Sequence, residues 1–325
     1  MRSATPAALA LLAFVALGCD DDAAPGGADA AASGVDMAMM MPPGPLARFA
    51  AIGDYGVDTR DEMDVAKLVK DWNPDYILTV GDNNYPSGEG TTIDTNIGQY
   101  FAPFIGGYHG KYGPGSPTNR FWPCLGNHDW YAQTGAQPYL DYFSTLPGNR
   151  RYYDVSIGTV HFFAVDSDPH EPDGNTAGSA QAMWLQKALA ASTACFNVVY
   201  FHHPAYSSAD PLFVEQEMRW PFREWGADIV ITAHAHNYER LRVDGMTYVV
   251  DGLGGALNRF EFPNVQPESL VRYNATFGAL FAEVSDGDLL FTFKNPHGDV
   301  VDRFDVQRDC SQPHMVVDAG VDAGQ

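Results

Sequence analysis

Five short apolar segments of the chain are each followed closely by a polar residue of a kind that binds metals. The first two, 48–52 and 76–80, run into Gly-Asp pairs at Asp54 and Asp82. Apolar, β-rich runs of this length predict strands buried on both faces. The other three are 121–125 before Asn127, 198–201 before His202, and 229–232 before His234 and His236. A single Gly-Asp after a strand is usually a turn, but this recurrence indicates a common site.

In an open α/β sheet, ligands bind in the crevice at the carboxyl ends of the strands, so we expect these side chains to meet there. Asp, Asn and His form a mixed oxygen and nitrogen site, which suits borderline divalent or hard trivalent metals. The absence of a thiol excludes a structural zinc site of the cysteine type. The candidate ligands are Asp54, Asp82, Tyr85, Asn127, His202, His234 and His236. They are too many for one tetrahedral ion and suit two ions that share a carboxylate.

The order of these motifs resembles that of the calcineurin-like metallophosphoesterases, and within them the purple acid phosphatases. The family pattern reads GDxG, GDxxY, GNH(D/E), VxxH and GHxH. It stands here at 53–56, 81–85, 126–129, 199–202 and 233–236. Tyr85 in the second motif separates the purple enzymes from other members. One departure is Ala233, which replaces the usual Gly, and its methyl group would crowd the turn if that position needs a positive φ. Since both histidines are kept, we expect the substitution to be tolerated.

The resemblance covers roughly residues 48 to 305 and implies an α/β fold, a four-layer α/β/β/α sandwich with the metal site at the carboxyl ends of the strands. It implies that Asp82 bridges two metals. Asp54, Tyr85 and His236 would complete the first site, and Asn127, His202 and His234 the second. A free tyrosine has a pKa near 10, so phenolate binding at mild pH argues for Fe(III) in the first site. The second site suits a divalent Zn, Mn or Fe.

Two further histidines carry expected roles in catalysis. His128 would bond to the phosphate and protonate the leaving alkoxide; the alternative is a residue that only orients Asp129 or Asn127. His203 would help to hold the substrate or His202.

The function that the resemblance implies is that of an acid phosphatase, a binuclear phosphomonoesterase in which a metal-bound hydroxide attacks a small phosphate ester. One alternative is a diesterase or nucleotidase with the same site, and another is a non-catalytic surface lipoprotein on the same scaffold. Two loops, 86–120 and 168–173, would either form or close off the space that a second ester group needs.

The N-terminal sequence predicts export. Residues 1–18 are typical of a signal peptide, and Cys19 follows a segment that resembles a bacterial lipobox, with ordinary signal-peptidase cleavage as the alternative. We expect a lipoprotein of the bacterial cell envelope or a secreted protein. Residues 19–45 predict a flexible acidic tether, 46–309 the catalytic domain and 310–325 a disordered tail.

The net charge limits the partners that we expect for this protein. The chain has 19 Lys and Arg against 41 Asp and Glu, a net charge of −22. Such a surface repels nucleic acids and anionic lipid, so we expect membrane contact only through a lipid anchor at Cys19; the oligomeric state stays open.

The remaining cysteines have different expected roles. Cys124 lies in a predicted buried strand as an apolar filler. Export permits a disulfide between the remaining Cys195 and Cys310.

Patterns between the motifs predict the supporting elements. A capping box at 59–62 begins a helix that presents Val65, Ala66, Val69 and Trp72 on one face. A second helix is predicted over 179–191, and from 247 onward the pattern indicates strands, with Asp286-Gly287 as a hairpin turn.

Overall fold

Two mixed β-sheets form the body of the protein in a computed structural model, which describes residues 46–314. The strands are β1 (Ala47–Ile52), β2 (Tyr76–Thr79), β3 (Phe121–Pro123), β4 (Tyr153–Ile157), β5 (Val160–Ala164), β6 (Phe196–Tyr200), β7 (Ile229–Thr232), β8 (Tyr238–Val243), β9 (Met246–Asp251), β10 (Ser269–Tyr273), β11 (Ala279–Val284), β12 (Asp288–Lys294) and β13 (Val300–Gln307). The helices are α1 (Arg60–Trp72), α2 (Gln99–Phe101), α3 (Asn127–Trp130), α4 (Gln137–Tyr142), α5 (Ala180–Ala191) and α6 (Phe222–Trp225).

Each sheet has parallel strands at the positions that carry the motifs. The first sheet has the order β13-β12-β11-β1-β2-β3, in which β1, β2 and β3 are parallel. The second has the order β10-β8-β9-β7-β6-β5-β4, in which β5, β6, β7 and β9 are parallel. The carboxyl ends of the motif-bearing strands therefore lie at common edges.

The two sheets pack face to face through aromatic side chains. Phe49 and Tyr76 of the first sheet meet Phe162 of the second edge-on, with ring centroids 5.1 and 5.3 Å apart. Side chains alternate along β6, as the period of two requires: Val198 lies in the core between the sheets, and Val199 lies in the core beneath the helices. The expectation of an α/β fold with two facing sheets is confirmed.

The predicted helix after Asp54 is present as α1. The Thr59 hydroxyl accepts a hydrogen bond from the Glu62 amide at the N-terminus, and Asn73 ends the helix in the left-handed conformation. Its buried face carries Val65 and Val69, and the ring of Trp72 lies 4.8 Å from that of Phe281. The apolar face thus fixes α1 against the first sheet and sets the direction in which the chain returns to β2.

The predicted leader and tether (1–45) and residues 315–325 of the predicted tail lie outside the described residues. The lipobox at Cys19 is among them. Within 46–314, no helix is long and apolar enough to cross a membrane.

A disulfide joins Cys195 and Cys310, while Cys124 is free and buried. The bridge ties the segment after β13 to the start of β6, and His314 adds a contact to the backbone oxygen of Ala194. The two cysteines are 115 residues apart, so the bridge closes a long loop in the unfolded chain. A bridge of this kind is typical of proteins in oxidising compartments.

Removal of the disulfide is expected to lower the free energy of unfolding by about 2–5 kcal/mol, because the unfolded chain regains the entropy of that loop. The test is denaturant unfolding of the double variant Cys195→Ser/Cys310→Ser beside oxidised and reduced wild-type protein. The variant should match reduced wild type and stay insensitive to reductant. Equal stability of oxidised and reduced wild type would contradict this expectation.

Candidate metal centre

The strand ends bring the predicted ligands together at one edge of the sandwich. Asp54 follows β1, Asp82 follows β2, and Asn127 opens α3 after β3. From the second sheet, His202 follows β6, and His234 and His236 follow β7. Carboxylate or imidazole atoms of Asp54, Asp82 and His202 lie within 4.8 Å of one another.

The first ligand set (Asp54, Asp82, Tyr85 and His236) surrounds the hydroxyl of Tyr85. That hydroxyl lies 3.0 Å from Asp54 Oδ1, 2.8 Å from Asp82 Oδ2 and 3.2 Å from His236 Nε2. His236 Nε2 lies 3.4 Å from Asp54 Oδ1. Four atoms that can bind a metal, one from each side chain of the set, thus lie close together.

The second ligand set (Asp82, Asn127, His202 and His234) surrounds Nε2 of His202. This nitrogen lies 3.1 Å from Asn127 Oδ1, 3.1 Å from His234 Nδ1 and 3.3 Å from Asp82 Oδ1. Asp82 therefore presents one oxygen to each set.

Hydrogen bonds to backbone carbonyls fix the tautomers of two of these histidines. His202 Nδ1 lies 2.9 Å from the oxygen of Val80, and His236 Nδ1 lies 2.7 Å from the oxygen of Asn258. A carbonyl oxygen only accepts, so each Nδ1 carries a proton and donates it. Each Nε2 is then the nitrogen that faces the other ligands and can bind a metal in place of a proton, an arrangement typical of histidine ligands.

Three of the ligands sit in strained backbone conformations. Asp54, Asp82 and His234 have φ values of 55°, 53° and 64°, in the left-handed region that non-glycine residues rarely adopt. Such strain persists where the surrounding structure over-determines the conformation, and it concentrates at functional sites.

The substitution at Ala233 is accommodated because the positive φ falls on the next residue, His234. Ala233 is fully buried and faces Gly53, where a Cβ would come within 2.4 Å of the Ala233 methyl carbon. Glycine at 53 therefore makes room for alanine at 233, and the turn keeps its shape.

The side chains of the centre strongly perturb one another. Burial alone would lower the pKa of His202, but the carboxylates of Asp82 and Asp54 outweigh it and raise the pKa to about 10. Burial alone would raise the pKa of Asp82, yet the facing His202 lowers it well below the usual range. Burial and the same two carboxylates hold the pKa of Tyr85 well above its ordinary value.

These residues fit a pair of cations. Two buried carboxylates and a phenol oxygen converge in the first ligand set, and a buried group of like-charged or acceptor atoms is costly without a counter-charge. A metal in each set would take the place of the protons that His202 and Tyr85 otherwise hold. The donors are oxygen and nitrogen only, as borderline and hard metals require.

His128 and His203 lie at different depths beside the centre. His128 Nε2 is 3.9 Å from Asp82 Oδ2, and its side chain is 28 % exposed toward an open cleft. His203 bonds to Ser167 through Nδ1 (2.9 Å), and its ring packs 4.4 Å from that of His234. Burial and the neighbouring His202 lower the pKa of His203 to about 3, so its ring is neutral.

A buried residue that the family motif contains, but to which we assigned no role from sequence, ties the ligand loops together. Asp129 Oδ2 accepts hydrogen bonds from the Gly126 amide (2.9 Å) and from the Asn83 amide (3.2 Å) and side chain (2.9 Å). It thereby joins the loop of Asp82 to the loop of Asn127. Burial and the charge of Asp82 raise its pKa to about 7.

A cleft of about 670 Å³ opens onto the centre. It borders Asp82, Tyr85, His128, His234 and His236. It is also lined by Pro86, Thr92 and Asn96 from the long loop and by Phe213 and Phe260.

The loop at 168–173, which we expected to form or close off space for a second ester group, does not line this cleft. Asp168 and Glu171 are buried, and Glu171 pairs with Arg151 at 2.9 Å. The loop therefore acts as a packed support beside Ser167 and His203 rather than as a wall for substrate.

Comparison with known proteins agrees with this geometry. The profile of the calcineurin-like phosphoesterase family matches residues 47–238. The chain belongs to this family. The match spans β1 to the start of β8 and includes every residue of both ligand sets.

Its relatives include purple acid phosphatases. The chain is 23% identical to human tartrate-resistant acid phosphatase type 5 over 294 residues, which cover 78% of this chain and 89% of that protein. It is 27% identical to purple acid phosphatase 15 of Arabidopsis thaliana over 278 residues, which cover 72% of this chain and 51% of that protein. The protein is a metallophosphoesterase of the purple acid phosphatase type.

Solved structures share the fold. The purple acid phosphatase PPD1 from yellow lupin superposes with a TM-score of 0.64 at 21% identity, covering 81% of this chain and 54% of that one. GAP50, described as the anchor in the inner membrane complex of Plasmodium, superposes with a TM-score of 0.62 at 17% identity, covering 83% and 91%.

Proposed function

We propose that this protein is a binuclear metal-dependent phosphomonoesterase. The observation that carries the proposal is the convergence of the two ligand sets on Asp82, whose two oxygens face Tyr85 and His202 respectively. When bound, two cations would neutralise the phosphate and bring the pKa of a water molecule toward neutrality. A decayed, non-catalytic scaffold is disfavoured, because none of the seven predicted positions has lost a ligand side chain.

The residues of the chain supply orientation and proton transfer. His128 would bond to the phosphate and deliver a proton to the departing oxygen. His203, held by Ser167 and packed against His234, would keep that ligand in place. A monoester has three non-bridging oxygens, enough to engage both metal sites and still reach His128, whereas a diester has one fewer.

Initial rates on phosphate monoesters, diesters and nucleotides between acid and neutral pH test this function. We expect monoesters to have the highest kcat/KM, and activity to vanish on chelation and return with metal. A diester preferred by about tenfold or more, a difference of about 1.4 kcal/mol in transition-state binding, would replace this proposal with the diesterase alternative.

We propose Fe(III) for the first ligand set and a divalent Zn, Mn or Fe for the second. The reason is Tyr85, because a phenol with a pKa near 10 binds as phenolate at mild pH only to a strongly Lewis-acidic ion. The purified protein is then expected to contain iron and to be coloured by charge transfer from the phenolate.

Tyr85→Phe is expected to abolish this colour, measured by visible absorption together with elemental analysis. Tyr131→Phe is the matched control, since Tyr131 lies beside the centre and contacts Asn127 but belongs to neither ligand set. Colour that survives Tyr85→Phe would remove Tyr85 as the iron ligand.

A further inference from the structure

The cleft that opens onto the metal centre has an apolar wall made of Phe213, Leu257 and Phe260. Phe260 stacks on His236 with centroids 4.5 Å apart and planes within 7°, and it stacks on Phe213 at 4.6 Å and 13°. Phe213 also meets His234 edge-on at 5.5 Å. Aromatic surface therefore runs from the ligand histidines of both sets outward along the cleft.

The apolar wall continues onto the surface. Leu257 is 74% exposed, and Leu212, next to Phe213, is 88% exposed. These are the two most exposed large apolar side chains among residues 46–314. Apolar side chains left in water beside a site are typical of a surface that covers a ligand.

Few polar or positively charged side chains in this cleft are available to bind the organic part of a ligand. Among the described residues that line it there is no lysine or arginine. Two of the polar lining residues use their donors within the protein: Thr92 Oγ1 bonds to Asn84, and both amide hydrogens of Asn96 bond to Asn84 and Tyr85. The side chain of Asn258, which is exposed at the cleft, is the amide left to face a ligand there. A sugar would find few donors here, and a second phosphate would find no counter-charge.

We propose that the apolar wall is the subsite for the organic group of the substrate, and that the substrate class is phosphate monoesters of uncharged aromatic alcohols. The inference rests on the proposed phosphatase function and adds its specificity. The aromatic ring of such an ester, with its phosphate at the metal centre, would lie against Phe213 and Leu257 and against the edge of Phe260, whose faces are covered by His236 and Phe213. These side chains offer aromatic and apolar contacts without charge. Sugar phosphates and polyphosphates are disfavoured by the same wall.

The test compares benzyl phosphate with glycerol 3-phosphate. Both are esters of primary alcohols, so the comparison reports the contacts of the organic group rather than the ease of its departure. Partial burial of one ring is expected to favour benzyl phosphate by about tenfold in kcat/KM. A ratio near one in wild-type protein would overturn the subsite.

Variants of the apolar wall test whether it causes the preference for benzyl phosphate over glycerol 3-phosphate. Phe213→Ala and Leu257→Ser are each expected to lower the ratio of benzyl to glycerol phosphate by about threefold or more. The rate on glycerol 3-phosphate serves as the internal measure of general damage. Leu270→Ser is the matched control, because Leu270 is 53% exposed on β10 and does not line the cleft, and it should leave the ratio unchanged. An unchanged ratio in both wall variants would contradict the proposal.

Binding of two phosphonates to metal-loaded protein separates this inference from the proposed function. Benzylphosphonate should raise the melting temperature more than ethylphosphonate does, whether or not any ester is hydrolysed. A preference for benzylphosphonate without activity on either ester would overturn the phosphatase function and leave the subsite standing. Equal binding of the two phosphonates, with both esters hydrolysed equally, would overturn the subsite and leave the function standing.

Discussion

Asp82→Asn is expected to cost the protein its metals and, with them, its activity. The two oxygens of Asp82 face different ligand sets, Tyr85 at 2.8 Å and His202 at 3.3 Å, so one substitution damages both. Asparagine keeps the volume and removes the charge. Loss of a residue that only hydrogen-bonds to a metal ligand costs roughly 10–100-fold in metal affinity, and loss of the shared carboxylate should cost more.

The measurement is metal content per chain after dialysis against a weak chelator, with kcat/KM on a monoester. Asp302→Asn is the matched control: Asp302 is also a buried carboxylate, but it lies on β13 and pairs with Arg240 and Tyr238. That variant should lose stability and keep its metals. Full metal content in Asp82→Asn would mean that Asp82 does not join the two ligand sets.

The metal centre could be predicted from the sequence because its residues directly follow strands with a clear apolar pattern. The strands before Asp54, Asp82 and His202 are largely buried on both faces, and such strands have mostly apolar sequences. The ends of these strands can therefore be located from the sequence. The family resemblance then supplied the division into two ligand sets, and the distances around Tyr85 and His202 support that division.

Elements with mixed sequences were missed. β8 reads Tyr-Glu-Arg-Leu-Arg-Val, and its charged residues find partners far away in the chain, as Arg240 does with Asp302. β10 lies at a sheet edge and has no fully buried residue, so its pattern is weak. In both strands, tertiary contacts decide the conformation more than local propensity does.

The apolar wall was missed for a related reason. Phe213 and Phe260 lie 47 residues apart in separate loops, where an isolated aromatic residue carries no periodic signal. Only the fold shows that the two rings stack on each other and against His236. The same holds for the left-handed backbone at Asp54, Asp82 and His234, which the packed turns impose.

His128→Ala is expected to lower kcat by roughly 10²–10⁴-fold, the usual range for loss of a general acid, while the metals stay bound. The backbone amide of His128 donates to Asp82 Oδ1 (2.9 Å), and its Nδ1 donates to the oxygen of Pro86 (2.6 Å). These bonds orient Nε2 beside Asp82 and Tyr85, at the border of the cleft. Alanine keeps the backbone bond and removes only the ring.

The dependence on the leaving group distinguishes proton donation from a structural role. Nitrophenolate departs without a proton, whereas an alkoxide needs one, so His128→Ala should harm an alkyl phosphate far more than nitrophenyl phosphate. His170→Ala is the control, because His170 is an exposed histidine paired with Asp168 outside both ligand sets. Its rates on both esters should match those of wild type. An equal loss on both esters in His128→Ala, with metal content intact, would assign His128 to holding Asp82 or Tyr85 in place, because a group that donates no proton has no reason to discriminate between leaving groups.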